Sequence, residues 1–296
     1  MENKQNDGKR RISNKLLRNL WRSKTGLLGF SIVSIVVLMA ILAPLIAPHD
    51  PVGANPANIN QPPFWLEGGS MEHILGTDNL GRDLLSRVLY GSRISLVVGI
   101  LAVVISGTIG LAVGLLSGYF GGFIDNLLMR IVDAFLAIPG ILLVLVFLAV
   151  LKPGISTLIF IIGITTWVTY ARVIRGDVLV VKEQEYVKAA ISMGVSHWKI
   201  IMRHILPNIF TSFIVISTLS VASTIILEAS LSFLGMGIQS PSITWGGMLS
   251  SGRNYLATNW WIATFPGIAL TLTVLGIILL GDWLRDVLDP RQGKRG

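Results

Sequence analysis

Groups able to do covalent or metal chemistry are sparse in this 296-residue chain. It has no cysteine, hence no disulfide, thiolate ligand or thiol nucleophile. The four histidines, His49, His73, His197 and His204, show no paired ligand spacing with carboxylates, and neither a catalytic centre nor a zinc site is expected on them. No serine stands in a Gly-x-Ser-x-Gly setting, which argues against a hydrolase nucleophile. No Gly-x-x-x-x-Gly-Lys-Ser/Thr phosphate loop occurs either, so ATP hydrolysis by this chain is not expected. The charged groups that do stand out are of three kinds. Glu228 lies inside an apolar run, where a carboxylate is costly and must face a cavity or a partner. It either lines an outer vestibule and receives cationic groups, or holds the adjacent Leu231–Gly237 turn by hydrogen bonds. Asp78, Arg82, Asp83, Arg87 and Arg93 form a cluster at the entrance to another apolar run. They either brace one another or contact a protein partner. Arg130 and Asp133, one helical turn apart, read as a structural pair.

Beyond these charged groups, a polar island lies between apolar runs, from Glu185 to Pro207. It parses as two short helices. Glu185–Met193 is free of Gly and Pro, Gly194 can take the left-handed stop position, Ser196 can cap the second helix, and Pro207 closes it. Ala189 and Ala190 leave the end of the first helix almost bare, so that another protein's surface can approach the backbone. A helix-turn-helix reading of Ala190, Gly194 and Ile200 fails on size, because about 34 residues between two spans are too few for an independent core.

These groups must be positioned by a membrane scaffold. Apolar residues make up 52% of the chain and charged ones 14%, which excludes an ordinary soluble domain. Runs of about 18 or more apolar residues mark spanning helices. Six are read, near 26–47, 94–117, 134–151, 155–174, 209–234 and 262–281. The first follows a basic segment and reads as an uncleaved span rather than a signal peptide. Pro139, near the start of the third span, is placed to bend it. In the second span Ala102, Ser106, Gly110, Gly114 and Gly118 recur every fourth residue, a small-residue stripe for close helix packing against a partner in this chain or another. With both termini in the cytoplasm, 19 of the 24 Lys and Arg residues fall inside; only Arg82, Arg87, Arg93, Lys152 and Arg253 fall outside. The net charge of +8 is then explained by lipid headgroups, not by nucleic acid. The chain divides into an N-terminal tail (1–25), a first span with a Pro-rich external segment (26–93), a five-helix core (94–284) with a cytoplasmic loop (175–208), and a C-terminal tail (285–296).

Several motifs carry a family resemblance. Ala189-Ala190, Gly194 and Leu206-Pro207 resemble the EAA loop of importer-type ABC transporter permeases. Gly-Thr-Asp-Asn-Leu-Gly-Arg-Asp-Leu-Leu-Ser-Arg at 76–87, Leu-Ser-Phe-Leu-Gly-Met-Gly at 231–237 with Trp245-Gly246, and Gly-Asp-Trp-Leu-Arg-Asp-Val-Leu-Asp-Pro-Arg at 281–291 resemble the "C" membrane subunit of dipeptide, oligopeptide and nickel importers. The resemblance implies an all-α polytopic protein with the type I importer permease fold in a prokaryotic cell membrane. It implies a non-catalytic half-pore paired with a homologous permease as a heterodimer, driven by two cytoplasmic ATPase subunits that bind ATP and Mg, and fed by an extracytoplasmic solute-binding protein. The cargo it implies is a di- or oligopeptide, with nickel, metal chelates or another small solute as alternatives. The island, through Glu185, Ala189, Ala190, Gly194, Leu206 and Pro207, would dock on an ATPase. One departure is Lys188, which stands where the family motif places Glu, with Glu185 one turn earlier. The rival of another class is a secondary carrier, which needs intramembrane coupling groups. Glu228 is the chief candidate for one.

Overall fold

The computed structural model describes residues 19–151 and 154–288; Lys152, most of the N-terminal tail, and residues 289–291 of the last motif lie outside them. The described residues are helical, with only an isolated bridge between Thr77 and Asp83. Helix α1 spans Lys24–Ile46, opened by Ser23, whose side chain accepts from the Gly26 amide at 3.1 Å. An extended segment follows and ends at Asp83. The Asp83 carboxylate caps α2 (Leu84–Phe120) through the Ser86 amide at 2.8 Å. This helix begins ten residues before the expected edge of the second span, because its first turns carry Arg87 and Arg93 and are helical without being apolar throughout. At 37 residues it is roughly 55 Å long, so it extends beyond a hydrocarbon layer of about 30 Å.

The third expected span is not one helix. Residues Gly122–Leu136 form α3 and Gly140–Val150 form α4, with an angle of 82° between them. Pro139 occupies the N-cap of α4: it has no amide to continue the preceding ladder, and its ring disfavours helical geometry at Ile138. The expected bend is therefore a break. Among the described residues, five helices are long and apolar enough to cross a membrane, and the bent pair makes a sixth if it counts as one span.

Helix α5 (Ile155–Lys182) leads into the island helices α6 (Glu185–Ser192) and α7 (His197–Ile200). A π-helical turn, Ile201–Ile205, joins α7 to α8 (Leu206–Phe233) without interruption. Helix α9 (Trp245–Gly252) follows a loop, and α10 (Trp261–Leu288) completes the bundle. Pro207 therefore does not close a helix. It sits in the first turn of α8, where its missing amide is tolerated because the π turn has already shifted the ladder, with the Leu206 amide bonding to Ile201 O.

The scaffold is centred on α2 and α5. The small-residue stripe faces α5 of the same chain, which settles its partner. A Cβ at Gly114 would lie 2.8 Å from Ile174 Cβ, and one at Gly118 2.8 Å from Val178 Cβ. Backbone contact of this kind needs hydrogen at those positions. Helix α10 packs on α1 and α8 and closes the other side. The outer surface is apolar, with Leu45, Phe123 and Val150 about four-fifths exposed, as a lipid-facing wall requires. Asp133 pairs with Arg172 of α5 at 2.5 Å, not with Arg130 as the sequence spacing predicts. Arg175 grips Asp125 through two bonds of 2.6 Å, so α3 is tied to α5 at two points, about two turns apart on α3 and one turn apart on α5.

Candidate functional site

The island is built at one end of the bundle and fastened to it. Helix α6 ends in a Schellman motif: the Gly194 amide bonds to Ile191 O at 3.0 Å and the Val195 amide to Ala190 O at 3.1 Å. Gly194 has φ +72°, and a Cβ there would meet nothing within 4 Å. The turn thus requires glycine for its backbone, while the space around it is open to a partner. Ser196 stands at the N-cap of α7, but its side chain makes no capping bond.

The island's inner face belongs to a hydrophobic cluster of Val187, Ala190, Ile200, Ile201, Ile205 and Ile209 with Ile174 and Val178 of α5. Ala190 is 3% exposed, so it packs against its own chain and is not bare backbone offered to another, as the sequence suggests; Ala189 faces outward. Leu206 leans on the same cluster, whereas Glu185 and Pro207 are exposed. Polar links complete the attachment. Tyr119 Oη lies 2.8 Å from His197 Nδ1, and Lys182 Nζ donates to Tyr119 O at 2.7 Å. The last turns of α2 and α5 and the start of α7 are therefore tied together.

The exposed face carries what the sequence reading left out. Tyr186, Met193 and Trp198 are 45%, 75% and 70% exposed, and Ile191 is exposed beside them. Large apolar side chains on a polar loop are a sequence-level signal of an interface, since a solvated loop gains nothing from them. Lys188 pairs with Glu183 at 2.7 Å, and this hydrogen bond together with the lysine's charge holds the Glu183 carboxyl below its ordinary range. The lysine that departs from the family motif is thus neutralised within the loop.

At the opposite end of α2, the cluster expected around residues 78–93 proves to be two networks and one bystander. Asp78 receives the Leu80 and Arg82 amides at 2.8 and 3.0 Å, binds Arg82 Nε at 2.8 Å, and lies 3.5 Å from Arg87 Nε. Arg87 also donates to Pro51 O at 2.9 Å. Asp83 caps α2, accepts from Ser86 Oγ at 2.7 Å, and bonds His73 Nδ1 at 3.0 Å. Trp245 donates to Val88 O and Trp261 to Thr77 O, pinning α9 and α10 to the same platform. These contacts are bracing. Arg93 takes no part, being exposed and lying 5.8 Å from the Tyr90 ring centre.

Glu228 is fully buried. Its Oε1 accepts from Ser232 Oγ at 2.8 Å, and its Oε2 has no hydrogen-bond partner among the described residues. Ser232 and Thr244 above it line a polar recess of about 230 Å³, whose wall includes Arg82 and Arg87. The carboxylate itself does not line that recess, so the geometry fits a brace beneath the 234–244 loop better than a vestibule lining.

Apolar helices long enough to cross a bilayer and a bent helix pair define a polytopic helical membrane protein. Comparison with known proteins specifies it further. The family model described as binding-protein-dependent transport system inner membrane component matches residues 110–294, and that described as N-terminal TM domain of oligopeptide transport permease C matches residues 15–63. The di/tripeptide transport system permease protein DppC of Pseudomonas aeruginosa is 40% identical over 279 residues, covering 93% of this chain and 92% of that one. The probable D,D-dipeptide transport system permease protein DdpC of Escherichia coli is 42% identical over 262 residues, covering 88% and 86%. The dipeptide transport system permease protein DppC of Bacillus subtilis is 38% identical over 295 residues, covering 98% and 90%. A chain of the inward-facing methionine ABC transporter MetNI matches in fold with a TM-score of 0.58 at 19% identity, covering 70% of this chain and 98% of that one. The chain belongs to the family of binding-protein-dependent transport system inner membrane components and has the type I importer permease fold.

Proposed function

We propose that this chain is one of two homologous permease subunits of an ATP-driven importer for di- or oligopeptides, and that the Glu185–Pro207 island is where an ATPase subunit grips it. In this reading ATP and Mg belong to two cytoplasmic ATPase subunits, and an extracytoplasmic solute-binding protein delivers cargo to the end formed by residues 47–83. Both termini and the island lie in the cytoplasm, in keeping with the bias of Lys and Arg. The peptide cargo rests on the names of relatives alike over most of their length.

The observation that carries the docking role is the two-sided construction of the island. Its inner face is welded to α2 and α5 through Tyr119, His197, Lys182 and the cluster around Ile200, while its outer face presents Tyr186, Met193 and Trp198 around open space at Gly194. A load applied to the outer face passes into the two most intimately packed long helices, which is what coupling ATP-driven closure to a pore requires. Because the chain has no cysteine, a single introduced thiol reports cleanly on contact. Ala189→Cys and Met193→Cys are expected to crosslink to an ATPase subunit in the assembled complex, whereas Met71→Cys, in the 47–83 segment, is not. Crosslinking from residue 71 and none from 189 or 193 would overturn the assignment.

A further inference from the structure

The 47–83 segment brings His49 beside Glu72 and His73, which lie far from it in sequence, and all three are side chains able to ligate a metal. One ring nitrogen each of His49 and His73 and a carboxylate oxygen of Glu72 lie within 4.8 Å of one another. The absence of ligand spacing in the sequence is therefore misleading: His49 follows directly on α1, and the fold of the Pro-rich segment carries Glu72 and His73 back to it.

Two independent features point to a cation. The first is the support around His73. Its Nδ1–H is held by Asp83 at 3.0 Å, and Asp83 is itself fixed by the Ser86 amide and hydroxyl at 2.8 and 2.7 Å. A histidine ring whose proton is carried by a buried carboxylate has its tautomer set and its other nitrogen made more basic, the arrangement that supports ligating histidines. The lone pair left to His73 is that of Nε2, which meets the Asn58 side-chain amide at 3.1 Å. A cation would exchange that neutral donor for a stronger one. The second feature is the His49 Nδ1 atom, which is itself buried and has no hydrogen-bond partner among the described residues, 3.7 Å from Asp83 Oδ1, with its ring centre 4.6 Å from that of His73. A buried ring nitrogen left without a partner costs about 1–3 kcal/mol, so it calls for an occupant.

We infer that His49, Glu72 and His73 form a binding site for a borderline divalent cation of the Zn²⁺ class. Two imidazoles and one carboxylate, with water completing the shell, are a donor set for Zn²⁺ and its neighbours, and not for Mg²⁺ or Ca²⁺. The carboxylates of Glu72 and Asp83 balance the cation's charge. Bound there, the ion would clamp the end of α1 to the cap of α2 and stiffen the platform on which Trp245 and Trp261 rest.

The test uses the full chain with its partner permease in detergent, purified through a tag without histidine. The complex is loaded with Zn²⁺, passed over a desalting column, and assayed for retained metal and for thermal unfolding. The expected result is one Zn²⁺ per copy of this chain, not displaced by millimolar Mg²⁺, with a higher unfolding temperature than the chelator-treated sample. Glu72→Gln, at an exposed position, should weaken retention at least about tenfold and abolish the thermal shift without lowering the apo stability, and His49→Gln should do the same. Substoichiometric zinc in the parent complex, or one equivalent retained unchanged in both variants, would overturn the inference.

Discussion

Asp78 is the residue on which most of the bracing at one end of α2 converges. It stands between Arg82 and Arg87, and Arg87 is itself buried and bonded to Pro51 O. Removing one partner of a buried pair leaves the other charge uncompensated, at a cost of about 3–5 kcal/mol. Asp78→Asn is therefore expected to lower the unfolding temperature of the complex sharply, while Arg93→Ala, outside the network, changes it little; equal effects in a thermal unfolding assay would contradict this account. At Glu228 the same reasoning predicts a structural loss. Glu228→Ala strands Ser232 and opens a cavity under the 234–244 loop, so folded complex recovered from membranes should fall along with uptake. The loss of uptake with full assembly would return Glu228 to the translocation path. The sequence made the charged cluster and Glu228 visible as candidates, because charge next to apolar runs is conspicuous. Which carboxylate met which arginine was hidden, because Asp78 and Asp83 are five residues apart on a turn whose geometry decides the pairing.

Helices explain why some glycines tolerate change and others do not. Gly114 and Gly194 look alike in sequence, yet the first is pressed against Ile174 and the second opens on empty space with positive φ. Gly114→Leu should separate α2 from α5 and abolish assembly, measured as loss of co-purified partner permease. Gly194→Ala should cost about 1 kcal/mol of backbone strain within α6 and leave assembly intact. Assembly surviving the first substitution and lost with the second would reverse the assignment. The stripe at every fourth residue was legible because a helix repeats every 3.6 residues. Two features were not. The size of the bend at Pro139, an 82° break, is not written in the sequence, and the π turn before Pro207 leaves no pattern of its own. Pro139 reads as a bend and Pro207 as a helix end, yet the helix breaks at Pro139 and runs on through Pro207, where the π turn before it has widened the ladder.

For the whole molecule, class and fold followed from hydropathy and motifs that reach from one end of the chain to the other. The two-ended layout did not: the island and the 47–83 platform sit at opposite ends of α2, about 55 Å apart along it, and each is fastened to that helix by its own set of side chains. A rigid rod fixed at both ends transmits motion from one to the other, which fits a subunit that receives cargo at one end and force at the other. A secondary carrier would need no such island. The most direct measurement is peptide uptake into liposomes holding this chain with its partner permease and ATPases and supplied with binding protein, with and without Gly194→Trp. The account predicts uptake that requires ATP and falls at least about tenfold in the variant while the complex still assembles, since the ring is added at a position whose Cβ would meet nothing within 4 Å of its own chain and obstructs the docking space. Uptake untouched by the tryptophan, or driven by an ion gradient through this chain without ATPases, would contradict it.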